Sequence, residues 1–137
     1  MRSVTEIRVL VVDDSVTIRA MIEVLIERER DMILVGVAAN ADDAERMIAI
    51  HRPDVVTLDI AMPGLDGLSL LDKVKAHTHV LMLSSQNESV QAALDRGAYG
   101  FFCKSRITHH ARELIGLIRA AAAGRVSRKL GHDPVPA

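Results

Sequence analysis

Short apolar runs alternate along this chain with stretches in which apolar residues recur every three or four positions. The runs from Ile7 to Val12, Ile33 to Val37, Val55 to Leu58, His79 to Leu83 and Tyr99 to Cys103 are predominantly apolar, and that from Val55 is rich in β-branched residues. They read as strands buried on both faces of a parallel sheet. Between the first two, Ile18, Met21, Ile22, Leu25 and Ile26 fall at helical spacing with Glu and Arg opposite, which predicts a helix from about Ser15 to Arg28. Asn40 is a favoured N-cap, and Asp42 and Asp43 suit the positive end of the helix it opens. Ala44, Met47 and Ile48 form that helix's buried stripe, and Pro53 lies beyond its exit. Leu68, Leu71 and Val74 mark a short third helix. Ser85-Gln86-Asn87-Glu88 has capping-box spacing and predicts a fourth, ending near Arg96 with Gly97 in its C-terminal turn. Leu114, Ile115, Ile118 and Ala122 line a last helix from about Thr108 to Ala123, with Gly124 expected to stop it.

Five strands alternating with five helices predict an α/β domain, a doubly wound five-stranded parallel sheet covered on both faces. Right-handed crossovers and the order 2-1-3-4-5 put strands one and three side by side. Asp13 and Asp14, which close the first run, then meet Asp59, which closes the third. That meeting point is the carboxyl end of the sheet, where open α/β folds place their ligand crevice. The domain is expected over residues 1–124, with residues 125–137, including Pro134 and Pro136, as a linker or loose C-terminal tail.

Composition narrows the classes. A chain of 137 residues, 49% hydrophobic and 26% charged, forms one core and is not disordered. A net charge of −1 and no Trp give neither the field nor the stacking platforms that nucleic acid or an anionic membrane requires. Cys103 is the single cysteine, so no internal disulfide forms and a reducing compartment suits the chain. Glu6 and Arg8 break any signal-peptide core, and no apolar stretch reaches membrane-spanning length, so a cytoplasmic location is expected.

Three carboxylates in one crevice repel one another and lose solvation together. A hard divalent cation relieves this: Mg²⁺, or Mn²⁺ in its place, takes carboxylate oxygens and keeps other positions for water or phosphate. A carboxylate beside such an ion is also a nucleophile towards phosphorus. Ser84 and Lys104, expected at the ends of strands four and five, add a hydroxyl and an ammonium as donors for phosphoryl oxygens.

The segments Val11-Val12-Asp13-Asp14-Ser15, Leu58-Asp59-Ile60-Ala61-Met62-Pro63-Gly64-Leu65-Asp66-Gly67, Leu83-Ser84-Ser85 and Gly97-Ala98-Tyr99-Gly100-Phe101-Phe102-Cys103-Lys104 resemble the receiver domain of two-component response regulators. The resemblance runs from about Ile7 to Ala123 and is nearest to receivers of chemotaxis methylesterases. It implies the flavodoxin-like version of the predicted sheet and makes Asp59 the phosphoacceptor, served by a sensor histidine kinase, a phosphotransfer protein or a small phosphodonor. Asp13, Asp14, Asp59 and the Ala61 carbonyl are the implied Mg²⁺ ligands, Ser84 the switch hydroxyl, Lys104 the phosphoryl partner and Phe101 the rotamer switch. The implied protein is a switch, not a turnover enzyme, acting on an output protein or domain through the face formed by helix four, strand five and helix five. It contacts no nucleic acid directly and no membrane. Neither the esterase domain of those methylesterases nor a helix-turn-helix output domain is found in the 137 residues, so the chain is either a stand-alone receiver, which is the expectation, or the excised front of a larger regulator. Phosphorylation-dependent homodimerisation through the last helix stays open.

Two rivals remain: a degenerate receiver acting as a constitutive interaction module, and a phosphohydrolase using an aspartyl-phosphate intermediate. Ala61 supplies no general acid two residues after Asp59, which counts against the hydrolase. Ser105 stands where the family has proline, so the Lys104–Ser105 bond is expected to be trans, because a cis bond before a non-proline residue costs about 2.5–4 kcal/mol. Gln86 is expected to influence phosphoryl lifetime more than Ala61. Asp66 and Gly67 read as turn and cap chemistry, Cys103 as packing, and His109 and His110 as solvated surface.

Overall fold

The computed structural model describes residues 6–62, 67–85 and 90–129. Its elements run β1 (Ile7–Val12), α1 (Val16–Glu27), β2 (Met32–Ala38), α2 (Ala41–His51), β3 (Val55–Asp59), α3 (Gly67–Val74), β4 (His79–Ser84), α4 (Gln91–Asp95), β5 (Gly100–Cys103), a 3-10 turn at Lys104–Arg106, and α5 (Ala111–Lys129). The strands form one parallel sheet in the order β2-β1-β3-β4-β5, as expected.

Strand alternation divides the core into two layers. Leu10, Val12, Val56, Leu58 and Met82 face the helices α2, α3 and α4, whereas Val9, Val11, Val55, Leu81 and Leu83 face α1 and α5. Every residue of β3 is buried, so the centre of the sheet is, apart from Thr57, an apolar rod until Asp59. Each fully buried Leu or Ile contributes about 1.5–3 kcal/mol, which fixes the register that carries Asp59 to the sheet's end. Capping follows the sequence where its residues are described. Ser15 Oγ accepts from the Ile18 N–H at 3.2 Å to open α1, and Asn40 Oδ1 accepts from the Asp43 N–H at 2.8 Å to open α2.

Three expectations shift. The fourth helix begins at Gln91, with no side-chain bond at its N-cap Val90; Gln86, Asn87 and Glu88 of the expected capping box lie outside the described residues. Its end is as predicted: Gly97 takes φ +108°, and the N–H groups of Gly97 and Ala98 bond the carbonyls of Leu94 and Ala93. The last helix starts later than expected, at Ala111, and passes through Gly124 to Lys129. Gly124 therefore serves packing. A Cβ there would lie 2.8 Å from Tyr99 Cε1, so glycine lets the ring lie this close to the helix. No cis peptide bond occurs among the described residues; Lys104–Ser105 is trans, and the chain turns into a 3-10 bend where the family places proline.

Arg119 anchors α5 to the turn between α1 and β2. Its Nε donates to Asp31 Oδ2 at 2.7 Å and its Nη2 to Glu29 Oε1 at 2.6 Å, while Arg112 Nη1 reaches Glu29 Oε2 at 2.7 Å. No helix among the described residues is long and apolar enough to cross a membrane.

Candidate functional site

The parallel sheet delivers Asp13, Asp59, Ser84 and Lys104 to one end because each closes, or directly follows, a strand. Asp13 follows β1 and is wholly buried; its backbone N–H bonds the Ala38 carbonyl at 3.0 Å, and its Oδ1 accepts from the Ser15 N–H at 2.9 Å. Asp14, next in the chain, is exposed. Asp59 ends β3 at 2% exposure, and its Oδ1 accepts from the Ala61 N–H at 3.1 Å. Both buried acids thus have one oxygen held by the N–H two residues later, a turn that short acids form readily. The other oxygens share one cation. Lys104 Nζ lies 3.1 Å from Asp13 Oδ2 and 3.2 Å from Asp59 Oδ2.

Charge does not balance here. Carboxylate oxygens of Asp13, Asp14 and Asp59 lie within 4.8 Å of one another, against one ammonium. Burial raises the Asp59 carboxyl from its ordinary 3.8 to about 6, with the Asp13 charge adding to it and the Ala61 N–H and Lys104 opposing. Burial pulls the Lys104 ammonium down, but pairing with Asp13 and then Asp59 outweighs this and raises it. Asp13 Oδ2 stands at ion-pair distance from that ammonium yet off hydrogen-bonding alignment, so it is a buried oxygen without a hydrogen bond. Such an atom, in a group of three acids, fits a small hard cation with oxygen ligands.

Ser84 closes β4 and is buried; it follows Leu83, the register partner of Asp59. Phe101 lies on β5 beside Met82 and is 46% exposed, which rules out a purely core role, while Phe102 next to it is buried. Ala61 is exposed at the lip of the site. Gln86 and Asp66 lie outside the described residues. Cys103 is half-buried with its Sγ 3.2 Å from Ser105 Oγ, so it is less enclosed than a packing role implies.

Two residues escaped the sequence reading. Gly67 opens α3 in contact with the site's backbone: a Cβ there would lie 2.5 Å from the Asp59 carbonyl oxygen and 3.0 Å from Ile60 Cα. The Asp66-Gly67 pair signalled a turn, whereas the glycine is needed for close approach. Arg19, in the first turn of α1, donates from Nη1 to the Asp13 carbonyl at 2.7 Å; nothing in its helical spacing marks that contact.

A doubly wound parallel sheet with an acid-rich crevice at its carboxyl end, one lysine and one buried serine is the arrangement expected of an α/β receiver domain. The family model of the response regulator receiver domain matches residues 9–116, and the chain belongs to that family. Among curated proteins, it is 39% identical over 142 residues to protein-glutamate methylesterase/protein-glutamine glutaminase 2 of Pseudomonas aeruginosa, covering 95% of this chain and 41% of that protein. A Shewanella sp. (strain MR-4) enzyme of the same name is 47% identical over 107 residues, covering 74% of this chain and 30% of the enzyme. The chain thus spans less than half the length of these relatives. Among solved structures, the response regulator domain of Thermotoga maritima CheB aligns with a TM-score of 0.80 at 34% identity, covering 94% of this chain and 99% of that one. A chain from the complex of the CheA3 P1 domain with CheY6 of R. sphaeroides aligns with a TM-score of 0.73 at 31% identity, covering 87% and 98%. The expected kinship with methylesterase receivers holds, and the domain is a regulatory receiver of two-component signalling.

Proposed function

We propose that Asp59 accepts a phosphoryl group from a histidine kinase, a phosphotransfer protein or a small phosphodonor. The observation that carries this reading is the buried Asp59, with one oxygen fixed by the Ala61 N–H and the other beside Lys104 Nζ at 3.2 Å. Fixing one oxygen sets the carboxylate's orientation before a donor arrives, so little reorganisation is left for the reaction. The carboxylate attacks phosphorus, the bond from phosphorus to the donor's nitrogen or oxygen breaks, and an acyl phosphate forms on Asp59. Asp13, Asp14, Asp59 and the Ala61 carbonyl would hold Mg²⁺, or Mn²⁺ in its place. When bound, the ion supplies neutralisation of charge on the transferring group. Lys104 and Ser84 donate to the phosphoryl oxygens.

The new charge biases a two-state surface. Phe101, exposed on β5, carries the change to the α4–β5–α5 face, where an output protein or domain binds. The domain over residues 1–124 is a switch, not a turnover enzyme, and acts in the cytoplasm. Ala61 places no general acid beside Asp59, which favours a lasting adduct over rapid hydrolysis.

Acetyl phosphate with Mg²⁺ tests this. One base-labile phosphoryl adduct per chain, absent from Asp59→Asn, is the expected result. Release of many phosphates per chain would indicate a hydrolase, and no adduct a constitutive interaction module; either result sinks the proposal.

A further inference from the structure

We infer that Arg19 is a positioning residue for the metal-binding carboxylate of Asp13, an inference that rests on the reading of the site given above. Asp13 has four polar groups, and each can be accounted for. Its N–H bonds the Ala38 carbonyl, its carbonyl accepts from Arg19 Nη1 at 2.7 Å, and its Oδ1 accepts from the Ser15 N–H. Oδ2 makes no hydrogen bond and faces Lys104 across the site. Three ties to β2, to α1 and to the turn between β1 and α1 therefore leave one oxygen, aimed into the crevice. Of the three, only the Arg19 tie comes from a side chain.

The placement of Arg19 argues for this role. It lies in the first turn of α1, where the helix's own N–H groups and dipole are positive and a cation is disfavoured. That turn holds no acid to compensate it. Its backbone N–H already makes the ordinary helical bond to the Ser15 carbonyl, so the guanidinium is not needed to satisfy the helix. It reaches back past the N-cap and joins the residue that bears the free oxygen. A charged donor to a backbone carbonyl is among the stronger hydrogen bonds, and here it acts on a peptide that can otherwise rotate about the turn.

Charge and position pull in opposite directions, which makes the inference testable. A cation beside three acids repels a second cation, so if Arg19 acted only through charge, its removal would tighten metal binding. If it positions Asp13, its removal weakens binding despite the lost repulsion. Mn²⁺ binding to the full chain, measured by isothermal titration and by paramagnetic broadening, separates the two for Arg19→Met and Arg19→Lys. Arg19→Met should bind Mn²⁺ about tenfold more weakly than the unsubstituted protein. Arg19→Lys, which keeps a donor and a charge, should recover most of the loss. Unfolding in EDTA checks that both variants are folded at the titration temperature. If the methionine variant does not fold, weaker Mn²⁺ binding by the lysine variant together with faster exchange of the Ser15 amide proton supports the inference. Equal or tighter binding by a folded Arg19→Met overturns it alone; where the methionine variant does not fold, Mn²⁺ affinity and Ser15 amide exchange both unchanged in the lysine variant overturn it. No Mn²⁺ binding by the unsubstituted protein overturns the site reading, and the inference with it.

Discussion

Two of this molecule's clusters of opposite charges are built differently. In the first, Glu29 and Asp31 meet Arg112 and Arg119, two acids against two guanidiniums, at the rim where α5 crosses the turn after α1. In the second, Asp13, Asp14 and Asp59 crowd together, and two of the three acids are buried. The ammonium of Lys104 pairs with two of them, while the Arg19 guanidinium bonds the Asp13 backbone carbonyl and not a carboxylate. The balanced cluster lowers its acids: Arg112, then Arg119, pulls Glu29 down, and Arg119 pulls Asp31 down. The unbalanced one raises Asp59 to about 6. A balanced cluster can be completed by its own side chains. An unbalanced, desolvated cluster lacks that completion, and it is the fold around it that holds its acids together.

Predictions that break or sharpen this contrast run from large effects to small. Gly67→Ala should cost about 3 kcal/mol, the upper range for overpacking against rigid backbone, and should abolish the phosphoryl adduct; chemical unfolding with mass analysis checks both. Asp59→Asn should stabilise the metal-free protein at neutral pH by ~2–3 kcal/mol, since a carboxyl raised by about two pH units is destabilising when ionised. The sign follows from proton binding. Between pH about 4 and about 6 the folded chain holds a proton that the unfolded chain has lost, so in EDTA stability falls as pH rises through this window. The asparagine variant should lose that slope.

Arg119→Met should cost about 1 kcal/mol, a modest value because solvent screens a partly exposed pair. Its pH signature is opposite. Glu29 and Asp31 contribute stability above their ordinary values of 4.5 and 3.8, and this is lost as pH falls through their lowered folded values. The variant should remove the Asp31 part of that acid limb, keep the part in which Arg112 holds Glu29 down, and leave the limb between pH about 4 and about 6 intact. Smallest of all, Thr57→Val should raise stability by about 0.5–1 kcal/mol, because Thr57 Oγ1 is buried among apolar neighbours with no partner. A loss of stability there would mean that the hydroxyl has a partner after all.

The sheet order and the acids and lysine at its carboxyl end were legible, because alternating strand and helix patterns predict a doubly wound sheet and each of these residues closes an apolar run. The contact of Lys104 with Asp59 itself was not, since the sequence marks Lys104 only as the partner of a phosphoryl group. An apolar run of strand length ending in a charged residue fixes both where a strand lies and what stands at its mouth. What stayed hidden depends on contacts between segments distant in sequence. Gly67 looks like any glycine after an aspartate until the Asp59 carbonyl is set beside it. Gly124 carries a strong stop signal for a helix, yet α5 continues, because the same missing Cβ answers to the Tyr99 ring. Arg19 reads as the polar face of a helix, since a long side chain reaching backwards leaves no trace in periodicity. Phe101 and Phe102 are alike in sequence, and strand parity sends one outward and the other into the core.

The Tyr99 notch has a mechanical consequence. Turning α5 about its axis by one residue, about 100°, would carry Gly124 away from the Tyr99 ring and bring a residue with a Cβ towards it. The notch therefore favours one rotational setting of the helix against the end of β5.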